Sequence, residues 1–168
     1  MKKITVLILG LLILSGCGLY TDIEAQVEQT TPKITLKSAP DTKIKTSRTD
    51  FEWNGATASA EYPAPQDFLN YQTIVQVKNM EKVQIVVQEK VKLGIMEATH
   101  LSDMMLSMIP ESGEDVTEIP LKDLESGTWQ FQVPPKAGKY MYILKEYYGM
   151  GFDIGYYVTY YFGLEVTE

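Results

Sequence analysis

Three sets of side chains in this chain carry atoms able to do chemistry at a suggestive spacing. The first is a single thiol, Cys17, the only cysteine in 168 residues. It follows Leu14-Ser15-Gly16. Small residues let a processing enzyme grip the backbone there, and the thiolate is the nucleophile of a cysteine. The second set is Met96, His100, Met104 and Met108, which repeat every four residues with Met105 alongside. On a helix they share a face, and thioethers with an imidazole form a soft donor set that suits Cu(I). The competing reading is that methionine fills irregular core gaps beneath a short helix. The third set is Glu111, Glu114 and Asp115. It lacks the alternating acids of a calcium loop, so a solvated acidic turn is expected.

Most reaction chemistry has no foothold. A hydrolytic triad needs a base, and His100 is the only histidine. There is no nucleophile elbow, phosphate-binding glycine loop, HExxH helix or paired-cysteine zinc motif. No cofactor is expected, and the chain reads as a non-enzyme.

Cys17 is positioned by what precedes it. Lys2 and Lys3 lead into the apolar run Ile4–Leu14, followed by small residues, the pattern of a secretory signal. The run is too short to span a bilayer, which takes about 20 residues. Leu14-Ser15-Gly16-Cys17 resembles the bacterial lipobox. The resemblance implies cleavage after Gly16, a diacylglyceryl (palmitate-type) thioether on Cys17, and a chain held on the extracytoplasmic face of the cell membrane. One acyl chain binds a membrane marginally and two anchor it. The expected organisation is residues 1–16 as lipoprotein signal peptide, 17–48 as lipidated N-terminus and flexible tether, and 49–168 as the folded domain.

Without Lys2 and Lys3 the chain keeps 13 basic against 22 acidic residues, a net of −9. An acidic domain is repelled by polyanions, so nucleic acid is excluded as a partner. A thiol consumed by lipid leaves the fold no disulfide. Residues 18–47 are polar with little periodicity, which predicts a tether of about 30 Å root-mean-square span; Ile34, Leu36 and Ile44 suggest a short edge strand within it.

Beyond Phe51 the periodicity is two. Asn54-Gly55 predicts a hairpin, because both positions tolerate positive φ. Val83, Ile85 and Val87 alternate, as do Val91, Leu93 and Ile95, then Trp129, Phe131 and Val133. Leu101, Met104, Met105 and Met108 fall at helical spacing and predict one short helix. Tyr156, Val158, Tyr160, Phe162, Leu164 and Val166 alternate without a fault, so Tyr140 onward predicts a long closing hairpin. Pro134 followed by Gly138-Lys139-Tyr140-Met141-Tyr142 resembles the start of the penultimate strand of immunoglobulin-like domains. By that resemblance Tyr140 is the corner tyrosine, and Tyr142 stands where half of the inter-sheet disulfide would be. The expected fold is therefore all-β: an immunoglobulin-like antiparallel β-sandwich with one short helix, similar to domains of Gram-positive lipoproteins.

Ten of the 23 residues from Tyr140 to Phe162 are aromatic. The odd face of the last strand, with Tyr157 and Tyr161, is expected to look outward, and Tyr147, Tyr148 and Phe152 to extend it into a ligand-binding ledge. The leading expectation is a membrane-anchored binding or interaction module for a protein or cell-wall partner. The alternative is an extracytoplasmic copper-handling lipoprotein.

Overall fold

A computed structural model describes residues 23–53, 55–59, 63–92, 98–150 and 154–168. The N-terminal region read as a tether is folded from residue 23. Helix α1 (residues 23–29) is followed by β1 (Lys33–Leu36) and β2 (Lys43–Ile44). Val27, Ile34 and Ile44 are all buried in the core. Apolar residues are few here, but each sits at a position where its element meets the core, so composition misleads where placement does not. β1 lies between β2 and β6 and is an interior strand of its sheet.

Two sheets form a sandwich. The smaller holds β1 and β2 with β6 (Lys82–Val86), β11 (Thr128–Gln132) and β10 (Lys122–Asp123), in the order β10-β11-β6-β1-β2. The larger runs β4-β3-β13-β12-β8-β7, from β3 (Ser47–Trp53), β4 (Ala56–Ala58), β7 (Lys90–Lys92), β8 (Ala98–Pro110), β12 (Gly138–Met150) and β13 (Ile154–Thr167). β5 (Val75–Lys78) runs parallel to β13, and β9 (Thr117–Glu118) pairs with β8. The order β10-β11-β6-β1 against β8-β12-β13 is the D-E-B-A against C-F-G arrangement of immunoglobulin sandwiches. The segment between β1 and β5 adds β2, a β3–β4 hairpin and a helix to that frame.

Phe131 of the smaller sheet meets Tyr142 and Phe162 of the larger at ring distances of 5.2 and 6.2 Å. Tyr142 stacks on Phe162 at 5.0 Å, so aromatic packing occupies the place of a disulfide. The Tyr140 hydroxyl donates to the Lys136 carbonyl at 2.8 Å, the hydrogen bond of a tyrosine corner. β3 and β4 form the expected hairpin, pairing Trp53 with Ala56 and Phe51 with Ala58, with Gly55 at a φ of 77°; Asn54 lies outside the described residues.

The expected helix over 101–108 is a strand. Met104, Leu106 and Met108 also alternate, so an eight-residue run satisfies both periods. Pairing of β8 with β12 from Pro110 to His100 decides it. The described helices are instead two, α1 and α2 (Pro65–Tyr71), the latter with Pro65 in its first turn, where a missing N–H costs nothing. α2 seats Phe68 and Leu69 on the outer face of the larger sheet, against Met141 and Tyr161. Gly163 permits this, since a Cβ there would stand 2.9 Å from a Leu69 methyl.

Tyr140→Phe removes the corner hydrogen bond and leaves the ring in place. Chemical denaturation should show a loss of about 1 kcal/mol with an unchanged denaturant slope.

Candidate functional site

Cys17, Met96 and Phe152 lie outside the described residues. The other expected copper donors are not brought together. Met104 and Met108 sit four residues apart on a strand, about 13 Å along its axis, so a single ion cannot reach both. His100 is exposed at the far end of β8, in a polar cleft with Glu89, Asp103, Asp123 and Trp129. Met104 is buried in the sandwich core, which accords with the gap-filling reading.

The tyrosine ledge divides. Tyr161 is buried beneath α2, its ring edge-on to Phe68 at 5.9 Å. Tyr148 is also buried, because even positions of β12 face the core; its ring meets Trp53 at 5.4 Å. Neither belongs to an outward ledge. Tyr147 and Tyr157 do share the outer face, directly paired across the hairpin with centroids 6.5 Å apart.

Period two fixes what surrounds them. On the outer face the paired rows are Ser107–Ile143–Tyr161, then Met105–Lys145–Thr159, then Asp103–Tyr147–Tyr157. α2 covers the β13 end of the first row, at Tyr161. Beside it, over β12 and β8, the face opens into a groove of about 560 Å³, within the size range of small-molecule sites. Met105, Ile109 and Ile143 line its floor; Pro63–Pro65 ahead of α2 and Gly113 with Val116 form its walls. Lys145 is the only charged lining residue among the described residues, with the ammonium 4.1 Å from the centre of the Tyr157 ring and 5.3 Å from that of Tyr147. Sequence reading did not single out Lys145 or Ile143, and took Met105 only as part of the methionine cluster and the expected helix, although an outer face carrying isoleucine and methionine is itself a sign of cover or of a ligand.

The inner face of the same strand holds a second unusual group. Glu146 is fully buried; its Oε2 accepts from the Tyr148 hydroxyl at 3.1 Å and its Oε1 has no partner. Burial raises its pKa well above the usual carboxylate range, against a smaller lowering by the Tyr148 hydrogen bond. α1 caps this region. Thr30 shares a 2.6 Å hydrogen bond with the Tyr160 hydroxyl, and the Trp53 indole donates to Gln26 Oε1 at 3.0 Å. Burial pushes the Tyr160 phenol up to about 12, net of the lowering by Thr30. Burial thus favours the protonated form of Glu146 inside an aromatic core, and the exposed chemistry belongs to the groove.

Folding keeps on Glu146 a proton that the unfolded chain releases above its ordinary value of 4.5. The unfolded state then binds fewer protons, so stability falls as pH rises past that value. Relative to wild type, Glu146→Gln should remove a slope of at most about 1.4 kcal/mol per pH unit. Thermal unfolding from pH 4 to 8 should show the two proteins diverging upward in pH, with the variant more stable at neutral pH.

No known protein family, curated protein or solved structure matches the chain.

Proposed function

We propose that this protein is a lipoprotein anchored through Cys17 on the extracytoplasmic face of the cell membrane, and that its immunoglobulin-like sandwich is a non-catalytic binding module. The anchor rests on the lipobox-like Leu14-Ser15-Gly16-Cys17 after a short apolar run. The binding role rests on one observation, the open apolar groove of about 560 Å³ on the outer face of the larger sheet. Met105, 40% exposed on its floor, joins Ile109 and Ile143 in a contiguous apolar surface, the kind that marks a binding groove. The copper-handling alternative has no support in the strand spacing of Met104 and Met108, and it is set aside.

Anchoring also bears on distance. Residue 23 already lies in α1, so at most five residues separate Cys17 from that helix. Covalent geometry limits that reach to about 20 Å, so the module would ride close to the lipid surface.

Two measurements test the reading. Cys17→Ser should abolish labelling by radioactive fatty acid and leave a precursor of unreduced mass; unchanged labelling rules out the anchor. A neutral apolar dye, Nile red, should bind the wild-type chain saturably, and Met105→Glu should weaken it at least about tenfold by placing a charge on the groove floor. Equal dye binding by both proteins removes the groove as the binding surface.

A further inference from the structure

The groove has a polarity that identifies a class of occupant. Its floor is apolar, and its one charged side chain among the described residues, Lys145, stands at the end where Tyr147 and Tyr157 meet. The Lys145 ammonium forms no ion pair with a described carboxylate. Asp103 of β8 stands one row away on the same face, where its Oδ1 accepts from the Met104 amide at 2.8 Å. Asp50 and Glu52 of β3 are separated from Lys145 by β13, about 10 Å away at the spacing of adjacent strands. In a chain of net charge −7, an apolar trough ending in a cation without an ion-pair partner among the described carboxylates is complementary to an anion carrying an apolar tail.

The floor also disfavours a peptide. β12 is flanked on both sides by β8 and β13, so its backbone groups serve the ladder and are not free for a guest chain. A peptide laid there would leave its own amides unpaired, at a cost of about 1–3 kcal/mol each. An acyl chain has no such groups to satisfy.

We propose that the groove binds an anionic amphiphile drawn from the adjacent membrane, its acyl chain along Met105, Ile109 and Ile143 and its headgroup oxygen on the Lys145 ammonium. This rests on the reading of the groove as the binding surface, and it adds the ligand class. The headgroup contact is a charge-assisted hydrogen bond, shorter and stronger than a neutral one. The cation–π contacts with Tyr147 and Tyr157 hold the ammonium in place without neutralising it.

The test uses the full chain labelled with ¹³C at the methionine methyls, titrated below micellar concentration with decanoate and with decyltrimethylammonium. Met105 reports the groove; Met80, 48% exposed at the β5–β6 turn beside the smaller sheet, reports non-specific binding; buried Met104 reports the fold. Decanoate should shift Met105 saturably, leave Met80 unmoved, and bind at least about tenfold more tightly than the cation of equal chain length. Lys145→Gln should abolish the preference and Lys145→Glu should invert it. If both amphiphiles move Met105 with equal affinity in wild type and in Lys145→Glu, the anionic headgroup is overturned while the groove remains a binding surface. If neither moves Met105, both readings fall.

Discussion

The β12–β13 hairpin pairs thirteen positions without a slip, from Gly138 opposite Val166 to Met150 opposite Ile154. Its two-residue period divides the protein into an inside and an outside, and every other element attaches to one side or one edge. Even positions from Tyr140 to Tyr148 and from Tyr156 to Val166 face the smaller sheet and are buried. Each buried aromatic ring removes of order 150–250 Å² from water. Stacking such as Tyr142 on Phe162 makes a core that needs no disulfide. β8 extends the hairpin on one edge, while β3 and β5 extend it on the other. α1 closes the core from the N-terminal side, with Val27 buried and Gln26 accepting from Trp53.

The inner face was legible in the sequence because an unbroken alternation has one interpretation. The Tyr140 corner was legible too, since a turn ahead of the strand and a tyrosine at its start fix the same local geometry. The outer face was not. Alternation says which residues oppose the core, but it does not say whether they meet water or a covering element. Tyr161, Met141 and Ile109 on the second face were the available signal: a sheet with one solvated face has polar residues there. Their cover, α2, is only seven residues long, too short for its own period to stand out. At 101–108 the difficulty was different. Two periods fitted the same residues, and pairing with a distant strand chose between them. In residues 23–47 the polar composition concealed single apolar residues whose importance depends on contacts far along the chain.

The groove follows from the limited reach of α2. Leu69 fits against Gly163, and Phe68 against Tyr161, so the helix covers the end of the face where β13 lacks a side chain. Over β12 and β8 the same face carries Met105, Ile109, Ile143 and Lys145 beside the helix. The entry to α2 bounds this apolar floor at Pro63–Pro65 on one side, with Val116 on the other. The fold thereby creates a site without any motif to announce it. Lys145 between Ile143 and Tyr147 reads, in sequence, as an outward lysine of no special interest.

Lys145 and Glu146 are neighbours in sequence and opposites in environment. A one-residue slip of β12 against its partners would carry every side chain to the other face. It would bury the ammonium of Lys145 among Trp53, Tyr156 and Tyr160 and expose the ring of Tyr148. At pH 7 a buried ammonium is neutral only once its pKa falls by about 3.4 units from the ordinary lysine value, whereas a carboxyl needs a rise of about 2.7. The native register therefore places inside the group that is cheaper to neutralise, with Tyr148 supplying one hydrogen bond to it. The charge that remains ionised stays on the outer face, over two aromatic rings. The polar residue in the core and the cation in the groove are thus set by the same strand register, and that register is held by the aromatic alternation of the hairpin.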